Sequence, residues 1–510
     1  MLAKSRNELA SEFQTSMCLF FLAVGASQSI FNVLNKAGIT LSYTQAVAKL
    51  KELGSEQLSR TLELARSQAF MLIWDNLNIA FRVGEQRQGS KDHFDNGTTA
   101  TLVPLFGVAY GELSLDLKPK RENRRPLLHF KPTDLLPDFD SACRVEAAQV
   151  WHIEDILYEA YPALRIRLGN AIWPPLDVMS IPVHKTEQYP LPAMHIDEST
   201  LEGAIGVLDS IVRNTLKLTE KEIENHGLII CAGDQLTLSL LDKVSRPILM
   251  FIRGLPVHQA AASRRDDTDL LDNIGRYTED QDGLFHIKMA AARAVANEYW
   301  GQPNSTSPWS LWRINTLLAR KPISAGLKVK SPPPFRPIWE LMLSLALPAN
   351  ILDGYRLFCG FDNLDKWVAS IKTPSEVRVV ATRVLQNLCS ARRVAQLRLS
   401  SAKDRDVPFE NICLFNRDCL YLRQFKYAVK RGDVGAVLDV ITHWMLMFRG
   451  TGKTPKYADA LFRIVVRLKT MDPGLRRAWL NNWLANLSGK ANGFKEMDLL
   501  QEHHNFWAKV

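Results

Sequence analysis

From residue 7 to residue 68, apolar and polar positions alternate at helical spacing, with one break at Lys36-Ala37-Gly38-Ile39-Thr40. Gly38 can take the left-handed conformation that ends a helix, and Thr40 or Ser42 can cap the next one, so the pattern predicts a helical N-terminal region over residues 1–68. Two helices around a short glycine turn, the second carrying Lys49 and Lys51, have the layout of a DNA-reading unit; an ordinary hairpin packed on its neighbours meets the same pattern. At Ala69 the period changes. Residues 69–83, AFMLIWDNLNIAFRV, form an almost unbroken apolar run of the kind that makes a buried strand, with one carboxylate, Asp75, in its middle. The β-branched run TTATLVPL at 98–105 can pair back on it as a hairpin.

Residues 118–197 are punctuated by prolines, with helical stretches near 141–160. Residues 199–216 read as an amphipathic helix capped by Ser199 or Thr200, with Glu202 following. A short apolar strand, HGLIICAG at 226–233, then delivers Asp234 at its carboxyl end. Beyond residue 240 the text is mainly helical as far as about 480, and residues 495–509 form another helix. The predicted organisation is a helical region (1–68), a sheet-bearing core (69–240), a mainly helical insertion (241–485) and a closing segment (486–510).

Composition narrows the classes. A chain of 510 residues, 46% hydrophobic, with 27 glycines and 25 prolines and no low-complexity tract, is a folded protein and not a disordered or collagen-like one. Its net charge of +9 suits a polyanionic partner without requiring one. Seven scattered cysteines offer neither a disulfide framework nor a zinc knuckle and read as thiols in a reducing compartment. The apolar decamer MCLFFLAVGA at 17–26 imitates a signal-peptide core, but Glu8 and Glu12 precede it and the helical period runs on past it. No stretch reaches the roughly 18 to 20 apolar residues of a membrane span, so no membrane partner is expected and the reading is a soluble intracellular protein.

Two acids on neighbouring strands and a third on a later helix form the arrangement used by two-metal phosphoryl chemistry, in which carboxylates hold Mg²⁺ or Mn²⁺ ions about 4 Å apart. Asp75, Asp234 and Glu502 occupy such places. Each also has a plainer reading: Asp75 with Asn76 can start a turn, Asp234 can cap the next helix, and Glu502 can sit on a solvated helix face. Arg449-Gly-Thr-Gly-Lys-Thr454 has the look of a phosphate loop, but Met447 stands where its first glycine belongs and no strand leads into it, so it reads as a helix-ending loop. His286 and Lys288 open a helix and can approach phosphate, with one of the two expected to be a structural hydrogen-bond donor. His503 and His504 are adjacent, point about 100° apart on a helix, and make no zinc pair.

The segments WDNLN (74–78), GDQLT (233–237), GLFHIKM (283–289) and NLSGKANGFKEMDLLQEHHNFWAK (486–509), with LFFLAVGASQSIFNVLNKAGITLSYTQAVAKL (19–50), resemble a large family of uncharacterised proteins abundant in mushroom-forming fungi. Those proteins look like derivatives of DNA transposases with an RNase H-like core. The resemblance implies an α/β protein with an RNase H-like mixed sheet, a large helical insertion and a closing catalytic-type helix. It implies a DDE triad of Asp75, Asp234 and Glu502 binding two Mg²⁺ or Mn²⁺ ions, with Glu496 and Asp498 as substitutes for the last acid. His286, Lys288 and Lys509 would contact DNA, and a homo-oligomer and a nuclear location go with that role. The expected activity is metal-dependent DNA cleavage and strand transfer. The alternative is a decayed or domesticated relative that binds DNA or acts as a scaffold; Val510 follows Glu502 closely and no zinc-finger-like module precedes the core.

Overall fold

The computed structural model describes residues 12–81, 93–118, 130–245, 269–302, 307, 309–321, 334–401, 403–452 and 454–509. Most of the basic run 118–125, the prolines at 332 and 333, Lys453 and Val510 lie outside the described residues. Three N-terminal helices, α1 (Glu12–Ala23), α2 (Gln28–Lys36) and α3 (Tyr43–Ala65), meet around Cys18, Phe31 and Ala46. Gly38 takes a φ of 72° after α2, and Ser42 forms a reciprocal capping box with Gln45 at the start of α3.

The chain then builds a mixed five-stranded sheet from β1 (Phe70–Phe81), β2 (His93–Pro104), β3 (Tyr189–Pro190), β4 (Ile229–Gly233) and β5 (Thr278–Asp282), in the order β3-β2-β1-β4-β5. β2 runs antiparallel to β1 and β3, whereas β4 runs parallel to β1 and β5. β1 reads as a continuous apolar run because both of its faces are covered. Phe70, Leu72 and Trp74 enter one core with Leu64, Ile205 and Leu241; Met71 and Ile73 enter the other with Ile230, Ala232, Leu284 and Leu500.

Helices cover both faces. Those that matter for the site are α4 (Phe139–Ala160), α5 (Leu201–Asp209), α6 (Gln235–Ser245), α7 (Leu284–Tyr299), α8 (Val407–Arg431), α9 (Val434–Thr451), α10 (Pro455–Thr470) and α11 (Met497–Lys509). Among the described residues no helix is long and apolar enough to cross a membrane.

β5 is a sheet strand inside the stretch 241–485, which reads from the sequence as mainly helical. Its residues, Thr-Glu-Asp-Gln-Asp, carry no apolar signal, yet all five are buried. Much of their polar surface is met from outside the strand, although Asp280 Oδ1 and Gln281 Oε1 are buried without a hydrogen-bond partner. Arg467 on α10 reaches Glu279 at 3.5 Å and Asp280 at 3.2 Å, and Lys118 lies 3.5 Å from Glu279. The indole N–H groups of Trp479 and Trp483 donate to the carbonyls of Asp280 and Asp282 at 3.0 and 2.8 Å, and Gln281 donates to the carbonyl of Trp479.

The start of β1 is anchored by a buried histidine. The Phe70 N–H donates to His226 Nε2 at 3.1 Å, so that nitrogen must be unprotonated. Burial pulls the His226 pKa down to about 4, with the Gly227 carbonyl acting in the opposite sense. The unfolded chain therefore binds the extra proton between about pH 6.5 and 4: this contribution to stability is complete above 6.5 and is lost as the pH falls towards 4. In His226→Gln, which does not titrate, chemical denaturation at pH 7 and pH 4 is expected to show about 3 kcal/mol less acid-induced loss than in the wild type.

Candidate functional site

Strand register brings the first two sequence-predicted acids together. Met71, Leu72 and Ile73 pair with Ile230, Cys231 and Ala232 at a constant offset, and the same offset carries Asp75 alongside Asp234, the residue after β4. Alternation puts Asp75 on the face of Met71 and Ile73, and Asp234 on that of Ile230 and Ala232, so both acids belong to one side of the sheet. Asp234 also caps α6, its Oδ1 accepting from the Thr237 N–H at 2.7 Å. The capping role and a ligand role are compatible, since the second carboxylate oxygen is left over.

Helix α11 lies across β1 and β2 on that side and is pinned there by polar contacts. Asn505 donates from Nδ2 to Asp75 Oδ2 at 2.9 Å and to the Asn76 carbonyl at 3.1 Å, and its Oδ1 accepts from the Thr99 hydroxyl. Gln501 bonds both Thr99 and Thr101, and His504 Nδ1 stands 2.9 Å from Thr101 Oγ1. Thr99 is the register partner of Asp75 in the hairpin, so Gln501 and Asn505, one helical turn apart, bracket the acid through its neighbour.

The third acid is held by a histidine. His286 Nδ1 lies 2.9 Å from Asp498 Oδ2 and its Nε2 lies 3.4 Å from Glu502 Oε1, so one imidazole links two carboxylates a turn apart on α11. Burial works against charging His286, but the hydrogen bonds to Asp498 and Glu502 prevail and push its pKa up to about 11, which makes it an imidazolium. Asp498 in addition accepts the backbone N–H groups of Phe285 and His286 at 2.9 and 3.1 Å, fastening the first turn of α7 to α11. Gly283 makes that approach feasible: a Cβ there would stand 2.3 Å from Asp498 Oδ2.

A fourth carboxylate, which the sequence did not reveal, completes the group. Glu198 is 1% exposed; its Oε1 accepts from the Thr237 hydroxyl at 3.1 Å, and its Oε2 has no hydrogen-bond partner. Burial first, then the charges of Asp75 and Asp234, push its pKa up to about 8. The chain enters this position closely: a Cβ on Gly203 of α5 would be 1.8 Å from the carbonyl of Asp197. The only available signal was an acid two residues ahead of the capping Thr200, a place where acids are ordinary. Asp75 is affected likewise, its pKa pushed up to about 7 by burial and Glu502, with His286 opposing and Asp234 adding. Burial and neighbouring charge thus raise both Asp75 and Glu198, with Asp234 acting on each and the His286 imidazolium engaging Glu502, and electrostatic frustration of this kind clusters at functional sites.

The remaining candidates separate. Lys288 is engaged within the fold: its Nζ donates to Glu496 at 2.5 Å and lies 4.9, 5.8 and 5.9 Å from the ring centroids of Phe285, Phe335 and Trp339. Of the substitute acids, Glu496 is thereby committed to Lys288 and Asp498 to α7 and His286. Lys509 belongs to α11, and its side chain lies outside the described residues. Among the described residues no group of three or more His, Cys, Asp or Glu side chains stands ready to hold a metal ion. The donor chemistry nevertheless suits a hard divalent cation, since the carboxylates offer only oxygen and Glu198 Oε2 is buried without a partner.

Residues 123–510 match a family of unknown function, DUF6589. The chain belongs to that family. In this DUF6589 member Glu198, Asp234, His286, Asp498 and Glu502 fall within the matched span, and Asp75 precedes it. No curated protein and no solved structure matches the chain.

Proposed function

We propose that this is a transposase-like protein with an RNase H-like core that cleaves and transfers DNA strands. The observation that carries the reading is the meeting of Asp75 on the first strand, Asp234 at the end of the fourth and Glu502 on the closing helix, the positions a DDE triad takes in such a core. Asp75, Asp234 and Glu502 would hold two Mg²⁺ or Mn²⁺ ions, and Glu198 adds a fourth carboxylate behind Asp75 and Asp234. Bound there, the ions supply activation of water or a 3′-hydroxyl and stabilisation of the leaving oxygen. Asp75, with its pKa near 7, must give up its proton to act as a ligand, so cation affinity rises with pH around neutrality. His286 holds its two protons against Asp498 and Glu502 and keeps Glu502 close to the sheet. The net charge of +9 favours the DNA backbone, and a DNA substrate implies a nuclear setting.

A second reading, a non-catalytic DNA-binding or scaffold protein of the same ancestry, is favoured by one observation: the His286 cation already engages Glu502. Calorimetric Mn²⁺ titration separates the two. Saturable binding in the wild type, abolished in both Asp75→Asn and Asp234→Asn, with Mn²⁺-dependent nicking of plasmid DNA lost in the same variants, is the expected result. A folded wild type that binds no Mn²⁺ eliminates the catalytic reading, and salt-sensitive DNA binding would then support the second.

A further inference from the structure

Next to the carboxylates, with His286 as the shared wall, lies a cavity of about 480 Å³. One face of α7 lines it with His286, Arg293 and Asn297, which follow one another at helical spacing. The first turn of α10 supplies Lys456 and Tyr457, and Phe335 closes the third side. The volume is that of a site for one small organic ligand, too small for a base pair with its backbones.

Its chemistry differs from that of the carboxylate group beside it. Arg293 and Lys456 bring two positive charges, and among the described residues neither is paired with an acid. Two polar atoms of the lining are buried with no hydrogen-bond partner, Asn297 Oδ1 and Thr454 Oγ1. The threonine is unusual: it stands at the N-cap of α10, where its hydroxyl would ordinarily accept a backbone N–H, and it makes no such bond. The loop read from the sequence as a helix end produces this arrangement, since Gly452 closes α9 in the left-handed conformation and α10 restarts at Pro455. The Tyr457 hydroxyl, whose pKa burial and then Asp234 and Asp498 push up to about 12, ties the cavity electrostatically to the acids.

Cations for a phosphate and an aromatic wall for a planar ring describe a nucleotide. We propose that this cavity receives one unpaired nucleotide of the DNA strand whose phosphate is presented to Asp75, Asp234 and Glu502. The assignment rests on the strand-cleavage reading above and adds a substrate class to it: DNA carrying a bulged or otherwise unpaired nucleotide at the reacting position, in preference to continuous duplex. An extruded base loses its stacking in the helix, and the ring of Phe335 compensates for that loss.

The test uses the full chain with three probes containing 2-aminopurine: a duplex with the fluorescent base as a single-nucleotide bulge, the same duplex with it paired, and the free 2-aminopurine deoxyribonucleoside monophosphate. The expected result is binding of the bulged duplex about tenfold tighter than the paired one, with quenching of its fluorescence. Phe335→Ala and Arg293→Gln, each checked for an unchanged melting temperature, should remove both the preference and the quenching. Equal affinity for the two duplexes, or a bulge preference that survives both substitutions, overturns the proposal. Binding of the free monophosphate alone also overturns it and makes the cavity a mononucleotide site. Mn²⁺-dependent cleavage is scored separately, so cleavage without a bulge preference rejects the pocket and keeps the carboxylate reading, and a bulge preference without cleavage does the reverse.

Discussion

Glu198→Gln melts several degrees above the wild type at pH 7 in the absence of divalent metal. The carboxyl is buried, one of its oxygens is unpartnered, and Asp75 and Asp234 face it, so its pKa rises from 4.5 in the unfolded chain to about 8 in the fold. For a carboxyl shifted upwards, the unfolded chain releases its proton first. Stability is therefore full below about pH 4.5 and declines as the pH rises towards 8, and at pH 7 the cost is about 3 kcal/mol. Glutamine keeps the shape and the acceptor for Thr237 and removes the ionisation. The advantage of the variant should shrink to a small fraction at pH 5, which thermal melts at the two pH values measure directly. A wild type and variant with the same melting temperature at pH 7 would show that Glu198 is not strained. Sites that store destabilisation of this kind do so where function needs it.

Arg467→Met has the largest effect expected in the opposite direction. The guanidinium stands between Glu279 and Asp280, and the charge of Asp282 also bears on it; the pKa of Asp282 is pushed up to about 6 by burial against the opposing pull of Arg467 and Arg463. Methionine fills much of the same volume but leaves three acids on a five-residue buried strand with little compensation. Breaking one side of such a buried arrangement costs about 3 to 5 kcal/mol, and the loss should be smaller at pH 5, below the pKa of Asp282, than at pH 8. Urea unfolding at pH 5 and pH 8 reads both quantities. β5 is the sheet edge that carries the chain from β4 to α7, so a loosened β5 also frees the turn at Gly283 against which Asp498 packs.

The hairpin β1–β2 and the strand β4 were legible because burial on two faces forces an apolar run, and a carboxylate within or at the end of such a run stands out against it. The partnership of Asp75 with Asp234 followed from that contrast. β5 gave no such contrast, since its burial is made tolerable by Arg467, Lys118 and two tryptophans far along the chain. β3, at two residues, is too short to leave a pattern. Glu198 was hidden for a different reason: an acid near a helix start is commonplace, and only the approach of Asp75 and Asp234 in space makes it exceptional. The sequence offers His286 as a phosphate contact or a structural hydrogen-bond donor and cannot name its partner, because Asp498 lies 212 residues further on.

The bond between Asp75 and Asn505 spans 430 residues. At typical synthesis rates the ribosome needs roughly half a minute or more to cover that interval, whereas a β-hairpin forms in microseconds. The sheet can therefore begin to assemble long before α11 exists, and for all that time the acid on β1 has neither its amide clamp nor the glutamate that faces it. A chain broken off anywhere in the helical region keeps Asp75 and Asp234 and lacks Glu502. The last helix thus acts as a completeness check, and only a protein translated through to α11 assembles the whole carboxylate group.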